Sequence, residues 1–104
     1  MIKKIKILIV GRNPEVAEVL LRLVNKNENW EGKLAMSNTE AIQLFSENDF
    51  DIILLSSGIP DLEENSLRKE FGKRPDILII QHYGGGSGLL SNEILSALEK
   101  KKSS

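Results

Sequence analysis

Asp-Ile-Ile-Leu-Leu-Ser-Ser-Gly-Ile-Pro-Asp is the sequence of residues 51 to 61, and this stretch decides the fold. Its four consecutive apolar residues, Ile52 to Leu55, lie between an acidic residue and a turn-forming segment. A short, uninterrupted apolar run is typical of a strand that is buried on both faces, as the central strand of a parallel sheet is. Ligand sites of open parallel sheets lie beyond the carboxyl ends of the strands. A functional site is therefore expected just after Leu55, starting with Ser56 and Ser57.

Composition limits the classes of protein to consider. The 104 residues fit one domain, residues 1-104, that can bury a core without disulfides or metals. The absence of cysteine excludes a disulfide framework and a cysteine nucleophile. A net charge of -1 favours neither nucleic acid nor an anionic membrane as a partner. The apolar run Ile5 to Val10 is too short for a signal peptide or a membrane span, so we expect a cytoplasmic protein.

Strand patterns occur at four places in the chain. Ile5 to Val10 is almost entirely apolar and predicts a central strand, whereas Trp30 to Met36 is more polar and predicts an edge strand. Ile52 to Leu55 is the third strand, and Ile77 to Ile80 predicts a fourth buried strand. Because helical patterns separate these strands, the order predicts a doubly wound α/β fold with a parallel sheet.

Three helical patterns lie between the strands, each with a start signal and an apolar stripe. The first is capped by Asn13 and begins with Pro14, the second has the capping-box pair Ser37 and Glu40, and the third repeats that spacing with Asp61 and Glu64. The predicted buried stripes are Val16, Val19, Leu20 and Leu23 in the first helix, Ala41, Leu44 and Phe45 in the second, and Leu67 and Phe71 in the third.

The end of the chain departs from this alternation. Only residues 81 to 90 separate the fourth strand from the last helical pattern, Ser91 to Lys102. A parallel fifth strand needs a crossover of about a dozen residues or more, so this strand is expected to be vestigial or missing. Two arrangements remain open: Leu89-Leu90 forms a token strand, or the sheet ends at four strands and a Ser91-capped helix packs directly on it. The stripe of that helix would be Ile94, Leu95 and Leu98.

Three blocks of this sequence together resemble the receiver domain of two-component response regulators. They are Ile7 to Val10 with the Pro14-led helix, Ser37 to Ala41, and Asp51 to Asp61. The resemblance implies a CheY-like fold, in which a five-stranded parallel sheet of order 2-1-3-4-5 carries helices on both faces. For this shorter chain we expect strand order 2-1-3-4.

The positions that carry the chemistry of receivers differ in this chain. The resemblance implies two acidic residues that hold Mg²⁺ after the first strand, and Gly11 and Arg12 stand there. Ser56 stands in place of the phosphate-accepting aspartate, and Gln81 replaces a small hydroxyl residue at the end of the fourth strand. The lysine that ends the fifth strand has no counterpart, and the fourth helix is missing.

These departures predict a degenerate receiver. Gly11, Arg12 and Ser56 offer a positive charge and no carboxylate, whereas Mg²⁺ binds through carboxylate oxygens. Like-charge repulsion at contact distance costs about 4 kcal/mol at an effective dielectric constant near 20. We therefore predict a non-enzymatic signalling domain without metal or other cofactor, which acts as a phosphorylation-independent protein-interaction module. The expected partner is another protein, or a second copy bound through the truncated side formed by the fourth strand and the last helix.

A second interpretation is a small anion- or nucleotide-binding or hydrolytic domain. The run Gly84 to Gly88 follows a strand at the expected ligand edge, where backbone N-H groups bind anions. Hydrolysis would use Ser56 as nucleophile and His82, the only histidine, as base. However, no G-x-S-x-G elbow surrounds the serines, and the glycine run lacks a lysine and is typical of flexible connectors. The residues of the anion site would be Arg12, Ser57, Gly84, Gly85 and Gly86.

Overall fold

The computed structural model describes the backbone of residues 4–56, 58–74, 76–82 and 87–103, and the side chains of these residues except 87–89, 91 and 101–103. Strands and helices alternate along the described chain. None of the described helices is long and apolar enough to cross a membrane. The elements are β1 (Ile5–Val10), α1 (Pro14–Asn25), β2 (Trp30–Ala35), α2 (Asn38–Glu47), β3 (Ile52–Leu55), α3 (Asp61–Phe71), β4 (Leu78–Gln81) and α4 (Ser87–Ser103).

The four strands form one parallel sheet in the order β2-β1-β3-β4. Val10 lies opposite both Ala35 and Leu55, and Leu55 lies opposite Gln81, so the carboxyl ends of all four strands reach one edge of the sheet. This arrangement confirms the predicted doubly wound fold and its strand order. Leu89-Leu90 belongs to α4, so the alternative of a token fifth strand there is wrong.

The central strand β3 is covered on both faces. All four of its side chains are fully buried, and they alternate between two hydrophobic clusters. Ile53 and Leu55 belong to the cluster under α2 and α3, whereas Ile52 and Leu54 belong to the cluster under α1 and α4. The helices therefore lie in pairs on the two faces of the sheet, as predicted.

The caps of the first two helices follow the sequence signals. The Asn13 side chain accepts hydrogen bonds from the N-H groups of Glu15 and Val16, at 3.0 and 3.5 Å, and the Ser37 hydroxyl accepts one from the N-H of Glu40, at 3.1 Å. The Glu40 carboxylate reaches back to the N-H of Met36, at 2.7 Å. Both caps satisfy N-H groups that a helix start leaves without an intrahelical partner.

The predicted cap of α3 is wrong. Asp61 is already the first residue of the helix, Pro60 stands at the capping position, and no side chain caps the helix. Asp61, Glu63 and Glu64 instead place three carboxylates in the first turn, where they favourably meet the positive end of the helix dipole.

The buried face of α1 is rotated from the predicted one. Ala17, Leu20 and Val24 are buried against the sheet, whereas Val16 and Val19 are 37% and 47% exposed. The apolar arc of this helix is broad, so more than one stripe repeats at helical spacing. Packing against Trp30 and the Ile7 side of β1 selects among them.

The last helix and the last strand also differ from the predictions. α4 begins at Ser87 instead of being capped by Ser91. Among its described side chains Leu90 and Ile94 are buried, while the predicted Leu95 is 50% exposed. Helical Gly88 costs about 1 kcal/mol, but burial of a leucine contributes about 2 kcal/mol, so the longer helix is favoured. β4 is half-buried and not fully buried because it forms an edge of the sheet.

Leu54→Ala should lower the free energy of unfolding by about 3 kcal/mol, because it empties a fully buried site in the central strand. Urea unfolding measures this loss. The matched control is Leu62→Ala, since Leu62 is 83% exposed and its truncation should change stability by less than about 0.5 kcal/mol. Equal losses for the two variants would contradict the central position of β3.

Candidate functional site

Three strands bring their following residues to one edge of the sheet. The N-H groups of Gly11, Ser56 and His82 each donate to a carbonyl of the neighbouring strand, at 3.0, 2.9 and 2.8 Å. These bonds extend the parallel ladder one residue beyond the ends of the strands. The predicted site residues Gly11, Arg12, Ser56, Gln81 and His82 therefore all follow or end neighbouring strands at this edge.

Gly11 and Ser56 are packed against each other. A Cβ atom added to Gly11 would lie 3.0 Å from the Ser56 Oγ and 3.3 Å from the Ala17 Cβ. Ser56 is only 1% exposed. A side chain at position 11, acidic or otherwise, therefore requires Ser56 or α1 to move.

The Arg12 guanidinium connects the loop after β1 to two helix starts. Its Nη1 donates to the carbonyls of Gly11 and Met36, at 3.0 and 3.4 Å. Its Nη2 donates to the Glu63 Oε1, at 2.8 Å, and to the Asn38 Oδ1. The Asn38 amide in turn donates to the carbonyl of Glu63, at 3.2 Å. One side chain thus holds the β1–α1 loop, the start of α2 and the first turn of α3 together.

The positive charge of Arg12 has a carboxylate partner within the chain. The Arg12 side chain is 21% exposed and that of Glu63 is 48% exposed, so their ion pair lies at the margin of the solvent. An incoming anion would have to compete with Glu63 for the same guanidinium. The other residues of the predicted anion site, Ser57 and Gly84 to Gly86, lie outside the described residues.

Gln81 connects the end of β4 to α3. Its amide nitrogen donates to Glu64 at 2.9 Å, and its amide oxygen accepts from Arg68 at 3.4 Å. Glu64 and Arg68 also form an ion pair with each other, at 3.0 Å. The three side chains close a ring of polar contacts that attaches the edge strand to the helix.

His82 connects the same strand end to the opposite face of the sheet. Its Nδ1 lies 2.5 Å from the Glu93 Oε1 on α4, and its side chain is almost fully buried. Glu93 is thus an acidic partner that orients the imidazole, as hydrolytic histidines require. However, both Ser56 and His82 are about as buried as core residues, so a substrate does not reach them in this arrangement. The geometry disfavours the hydrolytic interpretation.

Sequence reasoning identified the residues at the strand ends but missed their partners Asn38, Glu63 and Glu93. Glu63 was visible only as one of several acidic residues at a helix start, where the helix dipole already explains it. Asn38 and Glu93 lie on helices whose rotation relative to the sheet the pattern does not determine. The one signal available in the sequence was that each of these helices carries a polar residue near its apolar stripe, where a contact with a strand end is possible.

Solved structures that match this chain include receiver domains. A signal receiver domain of an HD domain-containing protein from Pseudomonas fluorescens Pf-5 matches with a TM-score of 0.83 and 17% identity, over 98% of this chain and 100% of that chain. A CheY-like response regulator receiver domain from Methanospirillum hungatei JF-1 matches with a TM-score of 0.79 and 17% identity, over 97% and 98% of the two chains. A response regulator receiver domain from Clostridium thermocellum is 26% identical, with a TM-score of 0.65 over 91% of this chain and 75% of that chain.

The sequence matches no protein-family model and no curated protein. The fold is nevertheless defined: it is the CheY-like receiver fold of response regulators. Within that class, the described residues of this chain form a four-stranded version in which α4 follows β4 and packs on the α1 face.

The residues at the strand ends do not fit the Mg²⁺ ion of the receiver class. Gly11, Arg12 and Ser56 supply no carboxylate, and the Glu63 carboxylate is bonded to the guanidinium. Over the described part of the chain, no group of three or more His, Asp or Glu side chains is placed to hold a metal ion. A hard divalent cation would meet a fixed positive charge where it needs several anionic oxygens.

Arg12 and Glu63 should be energetically coupled. In a double-mutant cycle with Arg12→Met and Glu63→Gln, we expect a coupling of about 0.5 to 1 kcal/mol in the free energy of unfolding, reduced by high salt. The control cycle is Lys73 with Glu70, a more exposed pair at 3.1 Å that should couple by about 0.3 kcal/mol or less. Absence of coupling at low salt would show that Arg12 does not hold the loops through Glu63.

Gly11→Ala should destabilise the fold by about 1 kcal/mol, because the new methyl group meets the Ser56 Oγ. The loss should become smaller when Gly11→Ala is made in a Ser56→Ala background, where that oxygen is gone. Thermal or urea unfolding of the four proteins gives both values. Strictly additive losses would contradict the close packing of Gly11 on Ser56.

Proposed function

We propose that this chain is a response-regulator-like signalling domain that acts by binding protein, without being phosphorylated. The observation that carries the proposal is the Arg12 guanidinium, which stands where receivers hold acid and is already bonded to Glu63, Asn38 and Met36. The receiver fold of its structural neighbours supports the signalling class. Its degenerate site supports the loss of the phosphorylation reaction.

Phosphoryl transfer depends on electrostatic stabilisation that these residues do not supply. A bound metal ion and a carboxylate nucleophile are the main contributions of a receiver site, and both need anionic side chains. Ser56 is a neutral hydroxyl that would need a base to become a nucleophile. The strand-end base His82 has its Nδ1 against Glu93 and is buried.

The polar contacts of the site suit a domain that signals by contact. Arg12, Gln81 and His82 each bond to a helix, so the strand ends and three helices are held together without an added ligand. We place this domain, residues 1-104, in the cytoplasm, with a protein as its partner. The net charge of -1 supports neither nucleic acid nor a membrane in that role.

Phosphodonor treatment tests this proposal. Incubation with acetyl phosphate and Mg²⁺ should give no phosphorylated species by intact mass spectrometry, and Mg²⁺ with beryllofluoride should leave the amide resonances of residues 11, 12 and 56 unchanged. A receiver with an intact aspartate, treated in parallel, is the positive control. A Mg²⁺-dependent shift at Ser56, or an acyl phosphate on any aspartate of the chain, would overturn the proposal.

Titration with phosphate and nucleotides tests the alternative function. Shifts confined to Arg12 and the run Gly84 to Gly88 would favour an anion-binding domain. The ion pair between Arg12 and Glu63 supports the outcome in which these resonances do not shift, since the guanidinium is already bonded to a carboxylate.

A further inference from the structure

The two edges of the sheet differ in composition. β2 carries Glu31 and Lys33 in its middle, and charged side chains are a typical means of keeping an edge strand from pairing. β4 reads Leu-Ile-Ile-Gln and its residues are half-buried. No strand among the described residues pairs with its outer edge. β4 is therefore an apolar edge without the protection that β2 has.

The backbone of β4 presents two of its residues, Ile79 and Gln81, to that outer edge. The N-H of Leu78 donates to Asp51 at 3.1 Å and the N-H of His82 donates to Leu55 at 2.8 Å, so both point towards β3. Because successive residues of a strand direct their N-H and C=O groups to opposite sides, those of Ile79 point away from β3. Ile79 thus offers a donor and an acceptor to an added strand.

A groove runs beside this edge between β4 and α4. Ile79 and Ile80 form one wall, Ser96 and Ala97 form the middle of the other, and Glu93 and Lys100 lie towards its two ends. Ser96 and Ala97 are small enough for another backbone to approach closely. The two ends of the groove carry opposite charges.

We propose that a second copy of this chain binds here, with the two β4 strands antiparallel about a two-fold axis near Ile79. This inference rests on the proposed function and names the surface and the partner. In such a pair, Ile79 exchanges both backbone hydrogen bonds with the partner's Ile79, and the two sheets become continuous. The two α4 helices then run antiparallel, with Ser96 and Ala97 at their crossing.

Charge complementarity favours a second copy as the occupant. The crossing lies about midway between Glu93 and Lys100, so a two-fold axis sets Glu93 opposite the partner's Lys100, and the reverse. Glu93 contacts His82 through its Oε1, and its side chain is 32% exposed, so its other oxygen remains for the lysine. One chain therefore carries both the acidic and the basic residue that this pairing needs.

Light scattering and amide hydrogen exchange of the full chain test the pairing. The average mass should rise with concentration from the 11.6 kDa monomer towards twice that value. Exchange at the Ile79 amide should slow over the same range, whereas the Leu78 amide, already bonded to Asp51, should be protected at every concentration. A chain that stays monomeric at the highest concentration would overturn the inference while leaving an interaction module for another protein.

Two variants separate edge pairing from other association. Ile79→Pro removes an N-H that β3 does not use and should abolish the dimer. Lys100→Glu, at an exposed position, should weaken the dimer about tenfold, because the introduced carboxylate then faces the partner's Glu93. The matched control is Lys33→Glu, which makes the same charge change on the exposed face of β2 and should leave the dimer intact.

The outcomes distinguish this inference from the proposed function. A dimer that survives Ile79→Pro, or that loses equal affinity with Lys100→Glu and Lys33→Glu, would place the interface elsewhere. Phosphorylation of the chain by acetyl phosphate would overturn the proposed function without changing these association measurements.

Discussion

The burial of β3 on both faces is the constraint on which the rest of the structure depends. Ile52 and Leu54 pack under one pair of helices, and Ile53 and Leu55 pack under the other, so each layer is positioned by the same four residues. A strand that is buried on both faces is typical of the interior of a parallel sheet. Here β1 and β4 are hydrogen-bonded to the two sides of β3. That placement alone brings the residues after β1, β3 and β4 to a common edge.

At this edge the strand-end side chains bond to the helices of the same chain. Arg12 pairs with Glu63 of α3, Gln81 contacts Glu64 of the same helix, and His82 contacts a carboxylate of α4. Each of these three polar side chains has thus acquired an internal partner. Buried and half-buried polar groups are costly without partners, so these contacts stabilise an edge that in other open parallel sheets faces a ligand.

The sequence predicted the parts of this architecture that depend on local pattern. The bounds of β1 and β3, the order of the elements and the caps at Asn13 and Ser37 follow from apolar runs and capping residues, and the structure confirms them. The rotation of α1 and the start of α4 were predicted wrongly because they depend on packing between distant elements. For the same reason Arg12 was placed at the site, but its bond to Glu63, far along the chain, was not foreseen.

The proposed function links the composition of the site to the four-stranded sheet of the described residues. In the receivers that this chain resembles, the fifth strand ends in a lysine of the reactive site, so the strand has a chemical role besides its packing on β4. Under the proposed function, a site with a guanidinium in place of acid gives that lysine no role. Among the described residues no fifth strand pairs with β4, and the edge that results is apolar. Apolar side chains at such an edge favour burial, so covering Ile79 and Ile80 would stabilise this chain.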